Sequence, residues 1–180
     1  MTLRFQITTF TLLSFAFCLQ KASNAKPLPS ELPQAIKIAG YKFLGVEPGN
    51  FTMGAPNMPP SAEPYEGLRE VSIKKAFYLG ETEVTQSFWE KYMEMNPSRF
   101  QSPSLPVEGI TWEEAMKFCA NLNNIRDTLE IPQGMIFRLP SEAEWEFAAR
   151  AGSKTTFFFG EDSKPLTNFA WISENAEGST

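Results

Sequence analysis

Two cysteines, Cys18 and Cys119, and no histidine are what this 180-residue chain offers for nucleophilic, redox or soft-metal chemistry. A thiolate can attack, be oxidised or hold a soft ion such as copper(I), but it needs a partner that lowers its pKa or completes a ligand shell. The absence of histidine removes the usual general base and the commonest nitrogen ligand, which excludes a Ser-His-Asp or Cys-His mechanism within this chain. Cys119 lies four residues after Ala115 and next to Phe118, on the inward stripe of a helical pattern. That position reads as a packed structural thiol.

Carboxylates are the remaining acids or ligands. Glu142 and Glu146 stand four apart on one helix face, but Arg138 and Arg150 flank them and point to an internal charge network. Glu81 and Glu83 flank Thr82 and read as solvated or locally paired charge at a strand edge. Asp127 and Asp162 are isolated, and Glu161-Asp162 lacks the oxygen-ligand spacing of a helix-loop-helix calcium site. Met53-Gly54 reads as a core plug followed by a turn, and Trp89, Trp112 and Trp145 as core anchors rather than a carbohydrate or peptide platform. Asn50-Phe51-Thr52 matches a glycan acceptor, relevant in a host with that machinery. These patterns assign no catalytic, cofactor-binding or metal-ligating residue.

The elements that would position these side chains are short. Tyr41–Val46 predicts a first strand, Pro48-Gly49 a turn, and Phe51–Met53 a second extended piece. The proline-rich stretch from Ala55 to Leu68 predicts a loop; Arg69 to Leu79 alternates, with Val71, Ile73, Phe77 and Leu79 on one side. Thr85 caps a helix expected to carry Phe88, Trp89, Tyr92 and Met93 and to close at Asn96-Pro97. Thr111 and Glu114 form a capping box for a second helix, with Trp112, Ala115, Met116, Cys119 and Leu122 facing inward. In the run from Arg138 to Arg150, Pro140 ends an extended segment, and Ser141 and Glu144 box the start of a third helix. Trp145, Ala148 and Ala149 share its buried face, and Gly152 supplies a left-handed stop. Phe157-Phe158-Phe159 reads as strand-like, with Asn168-Phe169-Ala170-Trp171 after a polar turn. Short helices among strands and long loops make a mixed α+β domain.

Four tryptophans, sixteen phenylalanines and fourteen prolines argue for aromatic packing between short segments and against a long helical bundle. Residues 1–25 form a separate unit: Arg4, an apolar run from Phe5 to Leu19, and small residues at Ser23-Asn24-Ala25 read as a signal peptide. Cleavage near Ala25 and export to the periplasm or the extracellular space are expected, in preference to lipid attachment at Cys18 or an uncleaved anchor. Residues 26–40, with Pro27, Pro29 and Pro33, then form a linker, and residues 41–180 form the domain. Removing residues 1–25 takes away Arg4 and Lys21 but no acid, moving the formal charge from −5 to −7. That balance lacks the electrostatic footprint of a nucleic-acid binder. The cleaved chain would keep only Cys119, and no disulfide could form within it.

Five ordered motifs carry a family resemblance: Phe51-Thr52-Met53-Gly54; Glu83-Val84-Thr85-Gln86; Leu105-Pro106-Val107-Glu108-Gly109 running on through Ile110-Thr111-Trp112-Glu113-Glu114-Ala115; Phe118-Cys119; and the Arg138–Arg150 run. In that order and spacing the chain, over about residues 43–171, resembles the formylglycine-generating enzyme and sulfatase-modifying factor family. The resemblance implies a C-type-lectin-like fold of short helices, short strands and long irregular loops, here expected to be incomplete at the C-terminus. For a complete member it implies a protein-modifying oxidoreductase that converts a sulfatase cysteine to formylglycine with dioxygen and copper(I) held by two nearby C-terminal cysteines. It also implies calcium, to which Asn168 or Asn175 could contribute. This chain carries neither that cysteine pair nor the family's Asn-x-x-Gly-Leu-x-Asp-Met-type segment, so no cofactor is expected in these residues and autonomous oxidase activity is not. A noncatalytic lectin-like scaffold or protein-binding module is the rival reading. An iron-dependent sulfoxide synthase is a third, without the histidines it needs. A protein substrate such as a sulfatase is the expected partner, and nucleic acid and a stable membrane span are not.

Overall fold

A computed structural model of the chain describes residues 17–21, 33–54, 67–162 and 164–169. Seven strands alternate with few helices: β1 (Cys18–Lys21), β2 (Ala35–Ile38), β3 (Tyr41–Val46), β4 (Gly49–Met53), β5 (Arg69–Ile73), β6 (Phe77–Gly80), α1 (Gln86–Trp89), α2 (Trp112–Asn124), β7 (Met135–Arg138) and α3 (Glu142–Arg150). A 3-10 helix follows at Lys164–Asn168. The main sheet has the order β2-β3-β6-β1-β7 with every neighbour antiparallel, and β4 and β5 form a separate ribbon. The mixed α+β class is as expected.

The strands lie between two apolar layers, and their alternation shows it. Phe17 and Leu19 enter one cluster with Tyr41, Phe43, Tyr78, Phe137 and the helix residues Phe88, Ala115, Phe118 and Leu122. Cys18, Val46, Phe77 and Leu79 point the other way, into a cluster with Ile73 and Ala148. A sheet covered on both faces reads as almost continuous apolar sequence, as Phe77-Tyr78-Leu79 does. Phe17 is the hub of the first layer: its ring meets those of Tyr41, Phe43, Phe88, Phe118 and Phe137 at centroid distances of 5.0–6.0 Å.

Local signals set most boundaries. β2 turns into β3 through Ala39 and Gly40, both at positive φ (52° and 85°), the two-residue turn whose twist suits a hairpin. Both capping boxes form: Thr111 with Glu114, and Ser141 with Glu144. α3 stops in the left-handed conformation at Ala151 (φ 46°), and the expected left-handed Gly152 (φ 86°) follows it. Its Phe147 ring sits so close to Gly49 that a Cβ there would lie 2.8 Å from it, and this contact joins α3 to the β4–β5 ribbon.

Several expectations are corrected. Ala35–Ile38, placed in the linker, is a strand, because Ile36 and Ile38 alternate onto β3 and the core. The long strand from Arg69 to Leu79 is broken at residues 74–76 into β5 and β6, which belong to different sheets; Ile73, Phe77 and Leu79 nevertheless share one cluster, with Val71 packed against it. The Thr85 helix runs only to Trp89, since the chain turns at Glu90 and Tyr92 and Met93 lie beyond it. Trp112 is 59% exposed and Met116 38% exposed, and Trp145 is only half-buried. Phe157–Gly160 closes a tight turn through a single bridge instead of a strand, with Phe157 and Phe159 stacked. Cys18–Lys21 of the expected leader form β1 at the heart of the sheet, directly after the buried Phe17. The loop expected from Ala55 to Leu68 falls mostly outside the described residues, as do Trp171 and Asn175.

Candidate functional site

Both thiols are sealed. Cys18 is fully buried and Cys119 is 2% exposed, and burial pushes each up to about 12, far from the thiolate that nucleophilic or copper(I) chemistry needs. The sheet separates them, since Cys18 belongs to the layer under α3 and Cys119 to the layer under α2. The arrangement does not fit a paired soft-ligand site open to a substrate thiol. Among the described residues no group of three or more cysteines, histidines, aspartates and glutamates is placed to hold a metal ion.

The carboxylates around α3 bind the fold together. Glu144 takes both amines of Arg138, at 2.5 and 2.8 Å, and also accepts from the Ser141 backbone and hydroxyl at 2.8 and 3.0 Å. Burial works against its charge, yet the hydrogen bonds from Arg138 and Ser141 outweigh that and hold it below the usual carboxylate range. Glu146 accepts from the Gly54 amide (2.9 Å) and from Arg150 (2.7 Å), whose other nitrogens donate to the carbonyls of Gly54 and Thr155. Met53-Gly54 is thereby clamped to α3, which accounts for two widely separated motifs at once. Glu142 does not join Glu146: it faces Arg69 at 3.8 Å in solvent.

The other singled-out acids are likewise dispersed. Glu81 pairs with Lys42, whereas Glu83 is partly buried and its pKa is raised by that burial. Asp127 is exposed, and Asp162 accepts from the Lys164 amide (2.9 Å) at the start of the 3-10 helix that ends at exposed Asn168. Gln86, read only as a motif residue, is 1% exposed and holds the long loop. Its amide donates to the carbonyls of Phe100 and Pro106, and its oxygen accepts from Asn96 and from the Ser102 amide. A glutamine following a helix cap was the available signal; its partners lie up to twenty residues on.

The surface left open for a partner is on α2. Trp112 and Met116, one turn apart, expose their side chains at the flank of the helix stripe of Ala115, Phe118, Cys119 and Leu122, which is buried. About 140° round the helix from that pair, Lys117 and Asn121 line a separate cleft of about 300 Å³ with Lys91, Tyr92, Met93 and Glu94. Asn121 pins its floor by donating to the Tyr92 carbonyl at 2.9 Å. Met95, at the end of that turn, is 77% exposed. The cleft carries the Lys91 and Lys117 ammonium groups and the Glu94 carboxylate, whereas the Trp112–Met116 face is apolar.

Residues 29–177 match the sulfatase-modifying factor enzyme 1-like domain. The chain belongs to that family. It is also similar to chaperone protein LppX of Paenibacillus barcinonensis, 35% identical over 126 residues, a match covering 56% of this chain and 45% of the relative. The chain thus spans about half the length of the curated relative it matches. No solved structure matches. No helix among the described residues is long and apolar enough to cross a membrane.

Proposed function

We propose that this chain works as a noncatalytic, protein-binding module of the sulfatase-modifying factor family, taking apolar segments of a protein partner on the α2 surface. The observation that carries this reading is the contrast between two thiols shut in opposite layers and a tryptophan and a methionine held in solvent one turn apart on α2. Large apolar side chains exposed side by side on one helix face are the kind of surface a protein partner covers when they form a contiguous patch. The name of the Paenibacillus relative, a chaperone, is in keeping with binding rather than turnover. Export of the chain is part of the proposal, supported by the leader-like composition of residues 1–25. A C-type-lectin-like architecture is supported by the family resemblance and by the many short elements and irregular loops.

The test is suppression of aggregation of an unfolding model substrate by the purified chain. Trp112→Ala with Met116→Ser should weaken it at least about fivefold while the unfolding midpoint stays within the range of exposed substitutions, about 0.5 kcal/mol each. Equal activity of wild type and double variant would remove α2 from the reading.

The second reading is a copper- and dioxygen-dependent conversion of a sulfatase cysteine to formylglycine by a longer protein that contains this domain, with calcium as a further ion. Membership of a family described as an enzyme supports it. Formation of formylglycine in a cysteine-containing sulfatase peptide by the present chain with copper(I) and dioxygen, above a control without the protein, would establish it over the binding module. The expected result is none.

A further inference from the structure

Strand β1 is the first described element but lies between β6 and β7, and among the described residues it is the only link between them in the sheet. Its backbone is paired on both sides: Cys18 stands opposite Leu79 and Arg138, Leu19 opposite Tyr78 and Phe137, and Gln20 opposite Phe77 and Ile136. The Gly80 amide donates to the Phe17 carbonyl at 3.1 Å, and Arg138 donates to the Gln20 side chain at 2.9 Å. The part of the chain that matches the family begins at residue 29, beyond this strand. The family portion alone therefore presents two strand edges about 9–10 Å apart, one strand's width, over an aromatic pocket that Phe17 fills.

We infer that the gap between β6 and β7 is a strand-acceptor site, occupied in this chain by its own Phe17–Lys21 segment, which is exchangeable. The site selects an extended segment by backbone pairing and by its side-chain order: an aromatic ring at the Phe17 position, a small group at Cys18, leucine at Leu19 and a hydrogen-bond acceptor for Arg138 at Gln20. Every other described element lies C-terminal to β1. The same residues lie in the stretch with leader composition. A cut near Ala25 would turn a tethered strand into a bound peptide and tie occupancy of the core to processing.

The experiment uses the full chain with a recognition sequence for a specific protease inserted after Ala25. After cleavage of the folded protein, the N-terminal fragment should co-elute with the body at one to one, and Cys18, located by mass spectrometry of labelled peptides, should react with a thiol reagent at least about 100-fold more slowly than in denaturant. A fluorescent peptide spanning residues 15–23 in excess should then displace the fragment saturably, whereas the Phe17→Asp peptide and a scrambled peptide should not. Loss of the fragment on cleavage without rebinding, a fragment that stays but never exchanges, or equal uptake of the scrambled peptide would each overturn the inference.

Discussion

Glu144 is the residue whose environment departs most from what its type suggests, a buried carboxylate serving at once as helix cap and as counter-ion to Arg138. Its folded-state pKa lies below the ordinary 4.5, so its contribution to stability is present in full above that value and is lost as pH falls through the folded-state value. Glu144→Gln should cost about 1–3 kcal/mol at pH 7, the worth of hydrogen bonds to a charged group. The deficit should shrink as pH is lowered past 4.5 toward and below the depressed value. Urea unfolding at several pH values checks this, and a deficit independent of pH would show that the carboxylate is not ionised in the fold.

Among the elements, α2 and the loop it follows show how much depends on where a stripe is centred. At about 100° per residue, Ala115, Phe118, Cys119 and Leu122 span an arc of about 100°, and Trp112 and Met116 fall about 70° and 110° from its middle. Counting Phe118 among the inward residues would have moved both to the rim. The loop before α2 is held by the Thr85–Pro106 bridge, by Glu108, which accepts from the Arg99 and Phe100 amides, and by Gln86, in a helix too short to be stable by itself. Gln86→Ala leaves the Phe100 and Pro106 carbonyls and the Ser102 amide without their partner. It should cost about 1–3 kcal/mol and speed hydrogen exchange at Ser102 well before global unfolding. Unchanged exchange there would show that the loop is held by other contacts.

At the scale of the whole molecule, the sheet is covered on both faces and each layer holds one cysteine, so the thiols report on the integrity of both. Cys119 should become reactive in the step that coincides with loss of tertiary fluorescence in denaturant, and Cys18 in that step or before it, as Phe17–Lys21 leaves the sheet. Early labelling of Cys119 alone would mean that the α2 layer opens as a separate unit. The charge balance acts at this scale too, since an acidic chain repels nucleic acid whatever its fold.

The sequence by itself determined what is local: the boxes at Thr111–Glu114 and Ser141–Glu144, the strand at Tyr41–Val46, the helix start at Thr85, the mixed α+β class and, through the order of its motifs, the family. Each is decided by residues a few positions apart, whose backbone preferences act before the chain collapses. Only the tertiary structure decided that Met53-Gly54 is clamped by Glu146 and Arg150, that Gln86 organises a distant loop, that Trp112 stays in solvent, and that an apolar stretch with the look of a leader fills the centre of the sheet. The reason is the same in every case: an apolar or polar side chain states what it needs, and which distant segment supplies it depends on strand order and layer geometry that no local spacing encodes.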